Sequence, residues 1–262
     1  MDGGIIAAAL ASGLAIGLIL GLVGGGGSIL AVPLLVHAVG VQSPHVAIGT
    51  AAVAVALNAA SGLAGHVRAG SVKWPCGLVF AAAGVVGAAL GAEAGKAFDG
   101  GRLLFLFGLL MVGVGASMAR KRQGALDPDV RLTRETAAHM LPRLLAAGLA
   151  VGLMAGFFGI GGGFLIVPAL IFAAGLTIRF AIGTSLVVVT ALGLTTAASY
   201  ALSGLVDWPL VALLAVGGAA GAMLAMPLGR AIARRKRLLE LGFAALVVLV
   251  GIYVSAKAAG WA

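Results

Sequence analysis

Two glycine runs carry the first chemistry in this sequence. Gly24, Gly25, Gly26 and Gly27 lead into Ser28 in one, and Gly159, Gly161, Gly162 and Gly163 make up the other. Each run stands inside a strongly apolar stretch and precedes a segment with the composition of a helix. A helix that restarts after a break presents bare N–H groups and the positive end of its dipole at one spot, which suits an anion. In hydrocarbon each freed N–H is costly unless protein, water or a ligand accepts it. Close helix packing accounts for isolated glycines such as Gly84, Gly87, Gly218 and Gly221, but it does not call for three or four in succession. The paired runs are therefore read as an anion-binding element.

Other polar residues cluster around the same idea. Thr50, and Thr184 with Ser185, follow Gly49 and Gly183 in the repeated "AIGT", so their hydroxyls are candidates to help hold the ligand; back-bonding to their own helices is the alternative. Asn58 lies mid-span, where an amide needs a partner. His66 and His37 are candidates for proton coupling, because imidazole titrates near neutral pH; the competing reading makes them interfacial anchors, as for His45. Arg68, Lys73 and Arg179 fall at span ends, where they set topology and draw anions inward. No carboxylate is placed at mid-membrane, Asp207 and Glu93 being interfacial, which argues against a cation pump. The spacing of His, Cys and acidic residues offers no metal site, and no cofactor is expected. An intramembrane serine protease using Ser28 and His66 is the enzymatic alternative. It is disfavoured because Gly163 stands at the Ser28 position in the second run, so the chain is read as a non-enzyme. A non-transporting membrane scaffold is the other alternative, and it leaves the duplicated helix breaks without a purpose.

The elements that position these residues follow from composition. With 61% hydrophobic and 10% charged residues and a mean hydropathy of +1.16, the 262-residue chain reads as an all-α integral membrane protein. The net charge of +9 sits in short segments between spans, which is topogenic patterning and not a nucleic-acid signal. The single cysteine, Cys76, permits no intrachain disulfide. Apolar segments fall at 5–23, 28–39, 46–65, 76–92 and 103–118, then at 141–158, 163–175, 180–203, 209–226 and 238–256. The second segment of each half is too short to span comfortably. It either completes a broken span or turns back at the glycines as a hairpin. A broken span divides the 17 Lys and Arg residues 8 against 9, whereas a hairpin puts 14 on one side and only Lys96, Arg102 and Lys257 on the other. Cytoplasmic loops carry the excess of basic residues, so the hairpin is expected.

The sequence is also internally duplicated. "GLVGGGGSILAVP" at 21–33 aligns with "GFFGIGGGFLIVP" at 156–168, "AIGT" at 47–50 with 181–184, and "GSVKWP" at 70–75 with "GLVDWP" at 204–209. Three full crossings per half, beyond the hairpin, put the halves in opposite orientations. The expected architecture is two homologous inverted-topology repeats, each a glycine-broken hairpin plus three transmembrane helices. Residues 1–118 form the first repeat, 119–140 a basic cytoplasmic linker and 141–262 the second, in one membrane domain. Both termini are expected outside a plasma (inner) membrane, and "MDGG" does not read as the start of a signal peptide. Secondary transporters commonly have this construction, with the site at the midplane where the repeats meet.

These paired glycine runs followed by "ILAVPLL" and "FLIVPAL", with "AIGT", "AIGTS" and "WP" in order, resemble the TauE/SafE family, the sulfite exporter family of membrane transporters. The resemblance covers nearly the whole chain. It implies transport, with export favoured, of sulfite, sulfoacetate or other small sulfur-containing anions, with the lipid bilayer as the protein's surroundings.

Overall fold

The computed structural model describes residues 3–23, 25–119, 134–159, 163–231 and 236–260. Among them there is no strand, and every apolar segment expected from the sequence is helical. The first half holds α1 (Gly3–Val23), a 3-10 stretch Gly25–Leu30 that runs on through α2 (Ala31–Leu34) and a π turn Leu35–Val39, then α3 (Pro44–Arg68), α4 (Trp74–Ala97) and α5 (Gly100–Ala119). The second half holds α6 (Arg134–Phe158), α7 (Gly163–Ala174), α8 (Ile178–Leu202), α9 (Trp208–Ala231) and α10 (Lys236–Ala258). Among the described residues, seven helices are long and apolar enough to cross a bilayer. Large apolar side chains such as Val86, Leu90, Leu249 and Ile252 are more than half exposed, as lipid-facing groups are.

Local signals set several boundaries. Gly40 ends the π turn at φ 85°, and Ser43 begins α3 by accepting a hydrogen bond from Val46 N at 3.4 Å, with Pro44 at the first helical position. One boundary differs from the sequence reading. The segment 134–140 was expected to belong to the linker, yet α6 starts at Arg134 and carries Pro142 inside it. "RETAAHM" is built of good helix formers that extend the helix beyond its apolar part, where hydropathy gives no cue.

Close approaches between bare glycines and neighbouring backbone fix the helix directions. Gly13, Gly17 and Gly21 abut Leu214, Gly218 and Ala225 in turn, so α1 and α9 run parallel. Gly87, Gly91 and Gly95 abut Leu149, Leu153 and Phe157, so α4 and α6 do as well. By contrast α3 and α8 are antiparallel: Gly49 lies against Leu205 and Tyr200, Gly193 against Ala56, and Gly183 against Ser71. The short turn at 203–207 reverses the chain between α8 and α9, so α9, and with it α1, runs in the same sense as α3. A single broken span would have left α3 opposed to α1. Residues 25–39 therefore return the chain, and the same reasoning makes α7 the returning arm between α6 and α8. This is the hairpin expected from the distribution of basic residues.

The packing is also reciprocal between halves. The pairs in contact are α1 with α9 and α4 with α6, α3 with α8, and α5 with α10. Each principal pair thus takes one helix from either side of the joint.

Candidate functional site

A helix begins within each glycine run. The 3-10 stretch starts at Gly25, and α7 starts at Gly163, itself buried. The first N–H groups of such helices have no intrahelical acceptor. Gly27 lies against the backbone of Ile16 and Leu20 on α1, so a side chain there would displace the helix behind it. Ser28 and Ile29 are fully buried. In the second hairpin Gly159 closes α6 at φ 66°, a left-handed conformation that favours glycine, and rests on Ile48 of α3. The 3-10 stretch packs against α7, which brings the two hairpins into contact. Gly24, Gly161 and Gly162 lie outside the described residues.

The "AIGT" and "WP" motifs turn out to bind each other across the halves. The Thr50 hydroxyl accepts a hydrogen bond from the backbone N–H of Asp207 at 3.0 Å, and the Thr184 hydroxyl accepts one from that of Lys73 at 2.9 Å. Beside them Gly49 meets the carbonyl of Leu205 and Gly183 that of Ser71, so each loop is held by a glycine contact and a hydroxyl. Two copies of one joint result, at opposite ends of the α3/α8 pair. Thr50 and Thr184 were expected near the ligand, and their acceptor lone pairs are engaged in these joints. Ser185 bonds back to the carbonyl of Ile182 at 2.8 Å. The signal for the joints was present in the duplication of both motifs, although their pairing spans more than a hundred residues.

The remaining candidates are dispersed. Asn58 is 1% exposed, its side chain filling the space that Gly218 leaves on α9, and its Nδ2 has no partner among the described residues. Its counterpart Leu192 packs against Gly84 on the other side. His66 sits at the end of α3, with Nδ1 2.9 Å from the Ser71 hydroxyl, near where Arg179 donates to the carbonyl of Ala69 at 3.3 Å. His37 is at the opposite end of the bundle, edge-on to the Tyr253 ring with Lys257 over the same ring. The two histidines are thus not one site. Gly84, Gly87, Gly218 and Gly221 all face neighbouring helices closely, in agreement with their reading as packing residues.

A family model described as "Sulfite exporter TauE/SafE" matches residues 9–254. The chain belongs to the TauE/SafE family. This TauE/SafE chain is 47% identical over 88% of its length to a "Probable membrane transporter protein" of Xylella fastidiosa (strain 9a5c), of which 88% is covered. It is 28% identical over 87% of its length to "Probable membrane transporter protein YunE" of Bacillus subtilis (strain 168), again with 88% covered. No solved structure matches it.

Proposed function

We propose that this TauE/SafE protein is a secondary transporter of small sulfur-containing anions, sulfite or organosulfonates, binding them where the two glycine hairpins touch. The observation that carries this reading is the start of a helix within each glycine run, at Gly25 in one and at Gly163 in the other. Two helix N-termini, one from each half, would offer N–H donors and positive dipole ends to an anion without a metal or a buried cation. The family description and the transporter names of its relatives support transport, and export is the direction that the family description favours.

The halves are read as inverted repeats in a plasma membrane, with 119–140 in the cytoplasm and both termini outside. The antiparallel α3/α8 pair with its reciprocal joints supports that reading, because a two-fold relating opposed spanning helices lies in the membrane plane. Alternating access then amounts to the two halves exchanging conformations around the hairpins.

The test is calorimetry with sulfite and sulfoacetate on detergent-solubilised, folded protein. Gly26→Val should abolish binding, since a side chain would stand between the N–H groups and the anion. Gly84→Val, which would press on Leu192 and the carbonyl of Gly148, should lower thermal stability while the folded fraction still binds. Unchanged anion affinity in Gly26→Val would mean that the glycine run serves packing alone.

A further inference from the structure

Helix α8 carries a row of hydroxyls, and nearly all of them are engaged. Thr190 and Thr195 bond back to the carbonyls of Leu186 and Ala191 at 2.7 and 2.9 Å, and Ser185 to that of Ile182. Thr184 holds the Lys73 loop, Ser199 donates to Glu93 at 2.8 Å, and Ser203 donates to the carbonyl of Ser199 at 3.1 Å. Two are different. Thr196 and Tyr200 are both 0% exposed, and their hydroxyls have no hydrogen-bond partner among the described residues. The carbonyl four residues back was available to Thr196, as it is to Thr190 and Thr195, and it is not used.

The surroundings do not supply a partner. Tyr200 meets Gly49 across the α3/α8 contact, and Ala197 packs with Ala52, Val53 and Val211. Gly49, Ala52 and Val53 of α3 and Val211 of α9 have no polar side chain. Four residues apart, Thr196 and Tyr200 share one side of α8, about 6 Å from each other along the helix. The Tyr200 end of this side adjoins the second glycine turn, where Gly159 rests on Ile48, next to Gly49, and Thr196 lies one turn further into the bundle. At that same end stands Lys96, paired with the Glu93 carboxylate at 2.7 Å, whose Nζ also reaches the Ser203 hydroxyl at 2.9 Å and the Ser199 carbonyl at 3.4 Å. A buried hydroxyl with no acceptor costs the molecule stability, so its persistence at two adjacent turns calls for an acceptor that comes and goes.

We propose that Thr196 and Tyr200 line the anion's route from the middle of the bundle to the end that the second glycine turn and Lys96 share, each donating its O–H to an oxygen of the passing anion. This rests on the transport reading above and adds a second binding element to it. Neutral donors suit such a station, since they satisfy an oxyanion without the deep well a buried cation would create. The route is one-sided. The equivalent positions in the first half are Gly62, which packs against Leu186 and Leu20, and His66, which is held by Ser71.

The experiment uses the full chain in proteoliposomes with radiolabelled sulfite as probe, and compares Thr196→Val, Tyr200→Phe and Thr195→Val. Loss of a hydrogen bond to a charged group should cut sulfite flux about tenfold or more in the first two. Equilibrium binding at the glycine turns should stay within about threefold. Thr195→Val, which removes a hydroxyl already bonded to its own helix, should leave flux within about twofold, and Thr196→Ser should restore it. Full flux in both Thr196→Val and Tyr200→Phe, with raised thermal stability, would overturn the proposal and leave the glycine site standing. Should Tyr200→Phe fail to fold, the Thr196 pair of variants decides the matter. Wild-type protein that neither binds nor moves sulfite would instead overturn the transport reading, and the route with it.

Discussion

At one end of the α3/α8 pair Thr50 takes the amide of Asp207, and at the other Thr184 takes that of Lys73, with Gly49 and Gly183 pressed on the same loops. Around these matching joints the fittings diverge. At the Asp207 end Lys96, Glu93, Ser199 and Ser203 tie α4 to α8, with Lys96 Nζ 2.7 Å from the Glu93 carboxylate. At the Lys73 end His66 pairs with Ser71, Arg179 reaches Ala69, and Lys73 lies over the Phe180 ring. What is duplicated holds the fold, and what is not duplicated tells the two mouths apart.

The comparison can be broken most severely at the glycines. Gly49→Leu and Gly183→Leu would each drive a side chain into a loop carbonyl, with a cost of 3 kcal/mol or more expected on the order of the worst overpacking. Loss of monodisperse protein in size-exclusion chromatography is the expected result for both. If only one variant is lost, the joints are not equivalent. Next come the hydroxyls: Thr50→Val and Thr184→Val each strand a half-buried N–H and should lower stability by about 1 to 3 kcal/mol. Thermal unfolding in detergent should show matching shifts, and sulfite affinity should hold in both if the joints are scaffold alone. A swap of the mid-span pair sharpens the asymmetry. Leu192→Asn would bury an amide without a partner and should destabilise by about 1 to 3 kcal/mol by the same measurement. The smallest effect belongs to Lys96→Met, which removes a tie at a partly exposed site. Its thermal shift should shrink further in high salt, and under the proposed route its sulfite flux should fall as well.

The ten helical segments were legible because apolar runs announce themselves, and the turn at the glycines was legible because Lys and Arg residues record which side of the membrane a loop occupies. The start of α6 was not, since "RETAAHM" forms helix outside the hydropathy signal. The tasks of Thr50 and Thr184 escaped for another reason. Each was weighed against its own helix, whereas its partner is a loop of the other half, and no local pattern announces a bond across 157 or 111 residues. Thr196 and Tyr200 were invisible for the opposite reason: a threonine in a span is unremarkable until its neighbours prove to be bonded and it does not.

The reciprocal pairing of helices carries a consequence for ancestry. α1, α3, α4 and α5 have their principal partners in α9, α8, α6 and α10, all beyond the joint. A lone half would leave those faces bare, but two identical halves inserted in opposite senses would cover them for each other. Under the inverted-repeat reading the present chain amounts to a fused antiparallel dimer. Fusion removes the dependence of assembly on concentration, and it frees each half to mutate apart from its twin. Asn58 beside Leu192, and Tyr200 beside His66, are what such divergence leaves behind.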